Sequence, residues 1–230
     1  GHGGPRVSRG ECIFLGGLDS IKRKGRVREI GPIRKDRLAG CPGGRHNHLQ
    51  SSFAAIGNES MATPRQSADL FHPGGRLRME ILHPTTATVL RETLGYTRAT
   101  NWNSVRTPHL FMGLLAVPDE SVRGWGRRLE TDLPGLLEQF CELFYQDEGD
   151  PDAVLFLNRE FLSDNVIRIL REAHTRAASH GRSLIMPIDL LIGLFTTPNS
   201  IVAECFENIG IPVTMLTELA VRAEHASREI

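Results

Sequence analysis

The sequence predicts an all-α protein: two tandem helical repeats related by a pseudo-twofold axis, preceded by a disordered N-terminal segment. Three observations carry this. Apolar residues recur at helical spacing from residue 79 onward. The second half of that region reads as a copy of the first at a constant offset of 80 residues, without a gap. Residues 1–78 show no such period and differ in composition.

The N-terminal segment is set apart by its chemistry. Glycine occupies 12 of the first 60 positions, with prolines and basic residues scattered among them. Such a stretch buries too little apolar surface to offset its ordering entropy, so residues 1–78 are expected to be mostly disordered. Residues 1–60 carry 11 Lys/Arg against 5 Asp/Glu, and residues 61–230 carry 16 against 22, so a net charge of zero divides into +6 and −6. All three lysines (Lys22, Lys24, Lys35) fall in the first part. Gly1-His2, where an initiator Met is usual, reads as a processing scar, with Met61 an alternative translation start.

From residue 79 the helical faces succeed one another in order. Leu82, Val89, Leu90, Leu94 and Thr97 share one face, and Pro84 suits a first turn, where its missing N–H costs nothing. Leu110, Phe111, Leu114 and Leu115 form a second stripe, and Leu133, Leu136, Leu137, Phe140 and Phe144 a third. Gln146 to Asp152 is acidic and turn-forming and reads as a solvated linker. We place repeat one at about residues 80–145, the linker at about 146–160 and repeat two at about 161–230. Ser163 is a suitable N-cap for Val166, Ile169, Leu170 and Ala173. Leu190, Leu191, Leu194 and Phe195 form the next stripe, and Leu216, Leu219 and Ala220 the last.

The two halves superimpose residue by residue. Leu90-Arg91-Glu92 meets Leu170-Arg171-Glu172, Gly113-Leu114 meets Gly193-Leu194, and Pro118 meets Pro198. Val89/Ile169, Val105/Ile185, Phe111/Leu191 and Leu115/Phe195 are apolar exchanges. Chance rarely aligns both helix faces and punctuation, so a symmetric pair of bundles packed on each other is expected.

Repeat one contains Val105-Arg-Thr107-Pro-His109-Leu110-Phe-Met-Gly113-Leu114-Leu115, and repeat two Ile185-Met-Pro187-Ile-Asp189-Leu190-Leu-Ile-Gly193-Leu194-Phe195. With the stretch Leu170 to Gly181, these resemble the N-terminal double repeat of Clp (Hsp100) unfoldases over about residues 80–225. The resemblance implies eight helices in two four-helix repeats, the double Clp-N type. It also implies a non-enzymatic domain whose partners are Clp unfoldase or protease subunits, adaptors and unfolded clients. Two departures stand out. A phosphate-binding loop needs Gly-x-x-x-x-Gly-Lys-Ser/Thr, and no lysine occurs after Lys35, so no ATPase domain is expected in this chain. Some relatives place a Glu between the Thr and His of each second-helix start, where it helps bind phosphorylated arginine. Pro108 and Ile188 stand there instead, which removes that route.

Four residues are singled out as candidate partner contacts: Trp102, His109, Trp125 and Asp189. Trp102, in the loop between the first two helices, suits a lid over the core or an exposed anchor, and core packing is favoured. Trp125 lies between Gly124 and Gly126. His109 and Asp189 occupy equivalent positions in the two repeats, and for His109, at the start of a predicted helix, a helix-terminal hydrogen bond is the simplest role. No catalytic residue, cofactor or metal is expected. Cys41, His46 and His48 lack the paired short spacing of a zinc site, no Gly-x-Ser-x-Gly elbow occurs, and Glu138 and Glu142 read as a solvated pair. Cys141 and Cys205 fall on apolar faces and read as small core residues. The basic run Ile21 to Arg37 supports an alternative, a regulatory contact with nucleic acid, which the acidic helical part disfavours. No apolar run is long enough for a membrane span. Four widely spaced cysteines suit a reducing compartment, the cytoplasm or an organelle stroma or matrix.

Overall fold

The computed structural model describes residues 70–147 and 154–228. They form an all-α architecture of two four-helix repeats. Repeat one contains α1 (Pro84–Ala99), α2 (Thr107–Ala116), α3 (Glu120–Arg128) and α4 (Leu133–Leu143). Repeat two contains α5 (Asp164–Ser179), α6 (Pro187–Thr196), α7 (Ile201–Asn208) and α8 (Val213–Arg228). A 3-10 turn precedes each repeat, Met79–Ile81 and Arg159–Phe161. The offset of 80 holds for both turns and for the starts of α1, α2 and α4 against α5, α6 and α8.

Local chemistry sets the helix ends. The His83 Nδ1 accepts from the Thr85 amide at 3.3 Å, and Pro84 opens α1. Asp119 and Asp132 accept amide hydrogen bonds at the starts of α3 and α4, both at 2.9 Å. Ser163 does occupy the N-cap of α5, but its side chain makes no capping bond. The loops after α1 and α5 turn on equivalent left-handed residues, Asn101 (φ 61°) and Gly181 (φ 70°). Those after α3 and α7 turn on Glu130 (φ 54°) and Gly210 (φ 82°).

Each repeat is closed by the other. The segment leading into α1 pairs with the loop of repeat two: the Ile185 amide donates to Ile81 O at 2.8 Å, and His83 donates to Ile185 O at 3.0 Å. The equivalent bonds run the other way, Val105 to Phe161 O at 2.7 Å and Ser163 to Val105 O at 3.0 Å. The bridges Leu82–Ile185 and Leu162–Val105 are thus related by the pseudo-twofold. Leu90 and Leu170, and Leu114 and Leu194, occupy matching buried sites.

Side-chain volume breaks the symmetry at the centre. Phe111, Trp125 and Phe140 of repeat one pack against Phe195 and Phe206 of repeat two, with Phe111 4.8 Å from Phe140 and 5.9 Å from Phe206 between centroids. Edge-to-face geometry dominates, as the ring quadrupoles favour. Beside this cluster α3 packs along α8, close enough that a Cβ on Gly124 would lie 3.5 Å from that of Ala223.

Two expectations are corrected. Order begins before residue 79: Leu70, Phe71 and Leu77 are buried, and residues 70–78 form a tight turn in which His72 donates to Arg76 O and Arg78 to Leu70 O, both at 2.9 Å. The expected linker is also built into the fold beyond residue 154. Leu155 is buried, the Leu77 amide donates to Leu157 O at 2.9 Å, and Arg159 donates to Gly75 O at 2.9 Å. Glycine and proline here serve a turn, so composition misled where backbone pairing decides.

The α1–α2 crossing leads to a test. A Cβ on Gly113 would lie 2.3 Å from Thr93 Oγ1 and 2.7 Å from the Val89 carbonyl, whereas one on Gly193 would meet only the Ile169 methyl, at 3.1 Å, before ordinary contacts. Gly113→Ala is expected to destabilise the fold by about 2–3 kcal/mol in urea unfolding, and Gly193→Ala by less than about 1 kcal/mol. Equal costs would refute the asymmetry of these crossings.

Candidate functional site

The structure brings the four singled-out residues into two kinds of place. Trp125 is fully buried in the aromatic cluster, 5.7 Å from Phe195 between centroids. It is a core residue, and its expected role as a partner contact is corrected: no surface of it is free to touch a partner. His109 and Asp189 are also interior, at 1% and 0% exposure. Trp102 alone is half-buried.

His109 and Asp189 do the same work in the two repeats. His109 Nδ1 accepts from the Arg106 amide at 3.0 Å, and Asp189 Oδ2 accepts from the Met186 amide at 2.9 Å. Each satisfies an amide at the start of its helix, a group that otherwise has no intrahelical partner. Both side chains are spent on this bond in the interior and present almost no surface of their own.

The neighbours of these residues are also equivalent in position and opposite in chemistry. In repeat one the Trp102 ring meets His109 edge-on, 5.6 Å between centroids, and the Arg106 guanidinium lies 4.5 Å from the indole centroid. The indole N–H donates to Phe144 O at 2.7 Å, closing the end of α4. In repeat two the counterpart of Trp102 is Arg182, which grips Asp189 with two hydrogen bonds of 2.5 and 2.7 Å. The counterpart of Phe144 is Glu224, reached because α8 runs on where α4 stops. Glu224 accepts from Arg182 at 3.2 Å and from Arg176, and the Arg176 Nε lies 3.3 Å from Asp189 Oδ1. Two guanidinium groups and two buried carboxylates thus close a neutral network. The hydrogen bond to Asp189 raises the Arg182 pKa above its ordinary value, ahead of the opposing effect of burial.

Burial, and then the charge of Arg106, lower the His109 pKa to about 4, so the ring is neutral at neutral pH with Nδ1 committed to an amide. Burial, and then Glu204, raise the Cys205 thiol to about 11, and burial, then Glu138 and Glu142, raise that of Cys141. Neither is a thiolate at neutral pH. Glu138 and Glu142 are exposed. Among the described residues no group of three or more His, Cys, Asp or Glu is placed to hold a metal, and no helix is long and apolar enough to cross a membrane. Cys12, Cys41, His46, His48 and the basic run Ile21 to Arg37 lie outside the described residues.

One accessible groove among the described residues, of about 630 Å³, lies where the turn at 70–78, the end of the linker and α1 meet. Leu77, Met79, Leu94 and Leu157 give it an apolar lining, and Phe156, 60% exposed, stands beside them. Arg76 and Arg91, both exposed, complete it with Gly74 and Asn158. Sequence reasoning missed this site because most of its lining lies in segments assigned to disorder or solvent. The one available signal was the apolar run Val154 to Leu157 inside an otherwise acidic linker.

No family model and no curated protein matches the chain. Among solved structures, it is similar to the N-terminal domain of the caseinolytic protease associated chaperone ClpD from Arabidopsis thaliana. The identity is 17%, 64% of this chain and 97% of that one are covered, and the TM-score is 0.48.

The paired helix starts generate two tests. His109 titrates at about 4 when folded and near 6.5 when unfolded, so the unfolded chain holds more protons between those values. Its contribution is full above that upper value and is lost as pH falls toward the lower one. Unfolding free energy is expected to drop by about 2 kcal/mol between pH 7.5 and 5, and His109→Asn, which keeps an acceptor for the Arg106 amide, to remove that share. A slope unchanged in the variant would exclude His109 as its source. Asp189→Ala strips two guanidinium groups of a shared carboxylate and is expected to cost about 3 kcal/mol in urea unfolding; a cost near zero would mean that the network is redundant.

Proposed function

We propose that this chain is a non-enzymatic protein-binding module of the Clp chaperone and protease system, one that docks adaptors, clients or Clp subunits. The observation that carries the reading is the doubled helical framework itself, with the paired starts Thr107-Pro-His109-Leu110 and Pro187-Ile-Asp189-Leu190 that resemble the Clp N-terminal repeat. The polar residues at those starts are spent on backbone amides and on one another, as a scaffold requires. The described residues also offer a groove with an apolar lining and polar edges, the kind of surface that takes a peptide.

Direct binding of the full-length chain tests this. Immobilised chain is expected to retain an Hsp100 ring, or a permanently unfolded client, with a micromolar Kd and no turnover of either. Absence of binding to both at every concentration below millimolar would overturn the proposal.

A further inference from the structure

The groove beside α1 is lined at several positions by residues whose counterparts in repeat two differ in chemistry. Met79 and Leu94, which line it, have Arg159 and His174 as their counterparts in repeat two. The exposed Phe156 has Arg76 as its counterpart across the same axis, and the groove brings the two together. Three positions at which the repeats differ in chemistry therefore converge on one surface.

Its charge is one-sided. Arg76 and Arg91 line the groove, and among the described residues no carboxylate does. The nearby acids are turned to other donors: Glu80 accepts from Arg78 at 2.8 Å, and Glu160 from Asn158 at 3.2 Å. Among the described residues, the Arg91 guanidinium makes only a long contact of 3.5 Å with the Thr88 hydroxyl. Two guanidinium groups beside a patch of Leu, Met and Phe suit a ligand that carries carboxylates next to a large apolar side chain. A guanidinium fork binds carboxylates with directional strength, and the apolar patch adds area.

We infer that this groove docks an acidic peptide segment, its apolar side chain against Met79, Leu94 and Phe156 and its flanking carboxylates on Arg76 and Arg91. This rests on the reading of the chain as a protein-binding module and names the chemistry of the segment it takes.

Fluorescence anisotropy with the full-length chain tests it. The probes are three short labelled peptides, each with one Leu and one Phe, flanked by Asp, Ser or Lys. The Asp peptide is expected to bind about tenfold more tightly than the Ser peptide, with the Lys peptide weakest, and the preference should shrink at high salt. The double variant Arg76→Glu/Arg91→Glu should reverse the order, Phe156→Ala should weaken all three peptides several-fold, and Arg168→Glu, at an exposed arginine outside the groove, should leave the order intact. All of the substituted side chains are exposed, so the fold is not at stake. Equal affinity for the three peptides, or an order unmoved by the double variant, would overturn the inference. If the chain holds an Hsp100 ring or an unfolded client while the Asp peptide neither binds nor competes, the groove assignment falls and the broader function stands. If it binds none of them, both fall.

Discussion

Reciprocal backbone pairing between the two repeats is the constraint on which the rest of this molecule depends. Ile81 and His83 bond to Ile185, and Phe161 and Ser163 bond to Val105. These strand-like contacts in a helical protein satisfy buried backbone groups that no helix could reach. They also fix where α1 and α5 begin relative to the opposite loop. The Thr86 hydroxyl, at 2.7 Å from the Ile185 carbonyl, reinforces one of the two junctions. The second junction has Val166 at that place, so symmetry of the backbone is kept while side chains diverge.

That divergence is where the repeats acquire separate characters. One helix start is closed by an indole, an imidazole and a guanidinium face; the other by four charged groups that cancel. Both hold the same backbone amide. The aromatic solution ends its bundle at Phe144, because the indole N–H takes the carbonyl there. The ionic solution requires a carboxylate at that place and a longer helix to deliver it. Phe111, Trp125 and Phe206 then fill the shared centre unequally, so the axis relates backbones and not surfaces.

How far the sequence could be read depends on the range of each interaction. Helix faces and their offset depend on residues three, four or eighty positions apart, and Leu90, Leu114, Leu170 and Leu194 were legible for that reason. Helix α3 was not, since Ser121, Gly124 and Gly126 bury little that a hydrophobic pattern can register, and Trp125 looks the same in sequence whether core or surface. The helix-terminal bond of His109 was legible from position and that of Asp189 only through its equivalence, but the carboxylate of Glu224 reaches Arg182 from the last turns of a helix that no local signal marks. The groove was hidden most completely. Most of its lining comes from two segments on either side of the four helices of repeat one, with Arg91 and Leu94 of α1 between them, and bonds such as Leu77 to Leu157 that join those segments leave no trace in periodicity.

The junction at Ile185 has a consequence for synthesis. Thr86 and its acceptor are 99 positions apart, so an emerging chain that has completed all of α1 to α4 still lacks the carbonyl its first helix needs. Until Ile185 is available, the N-terminal bundle lacks this bond and the part of the shared core that repeat two supplies. Closing so long a loop is slow on the scale of helix formation.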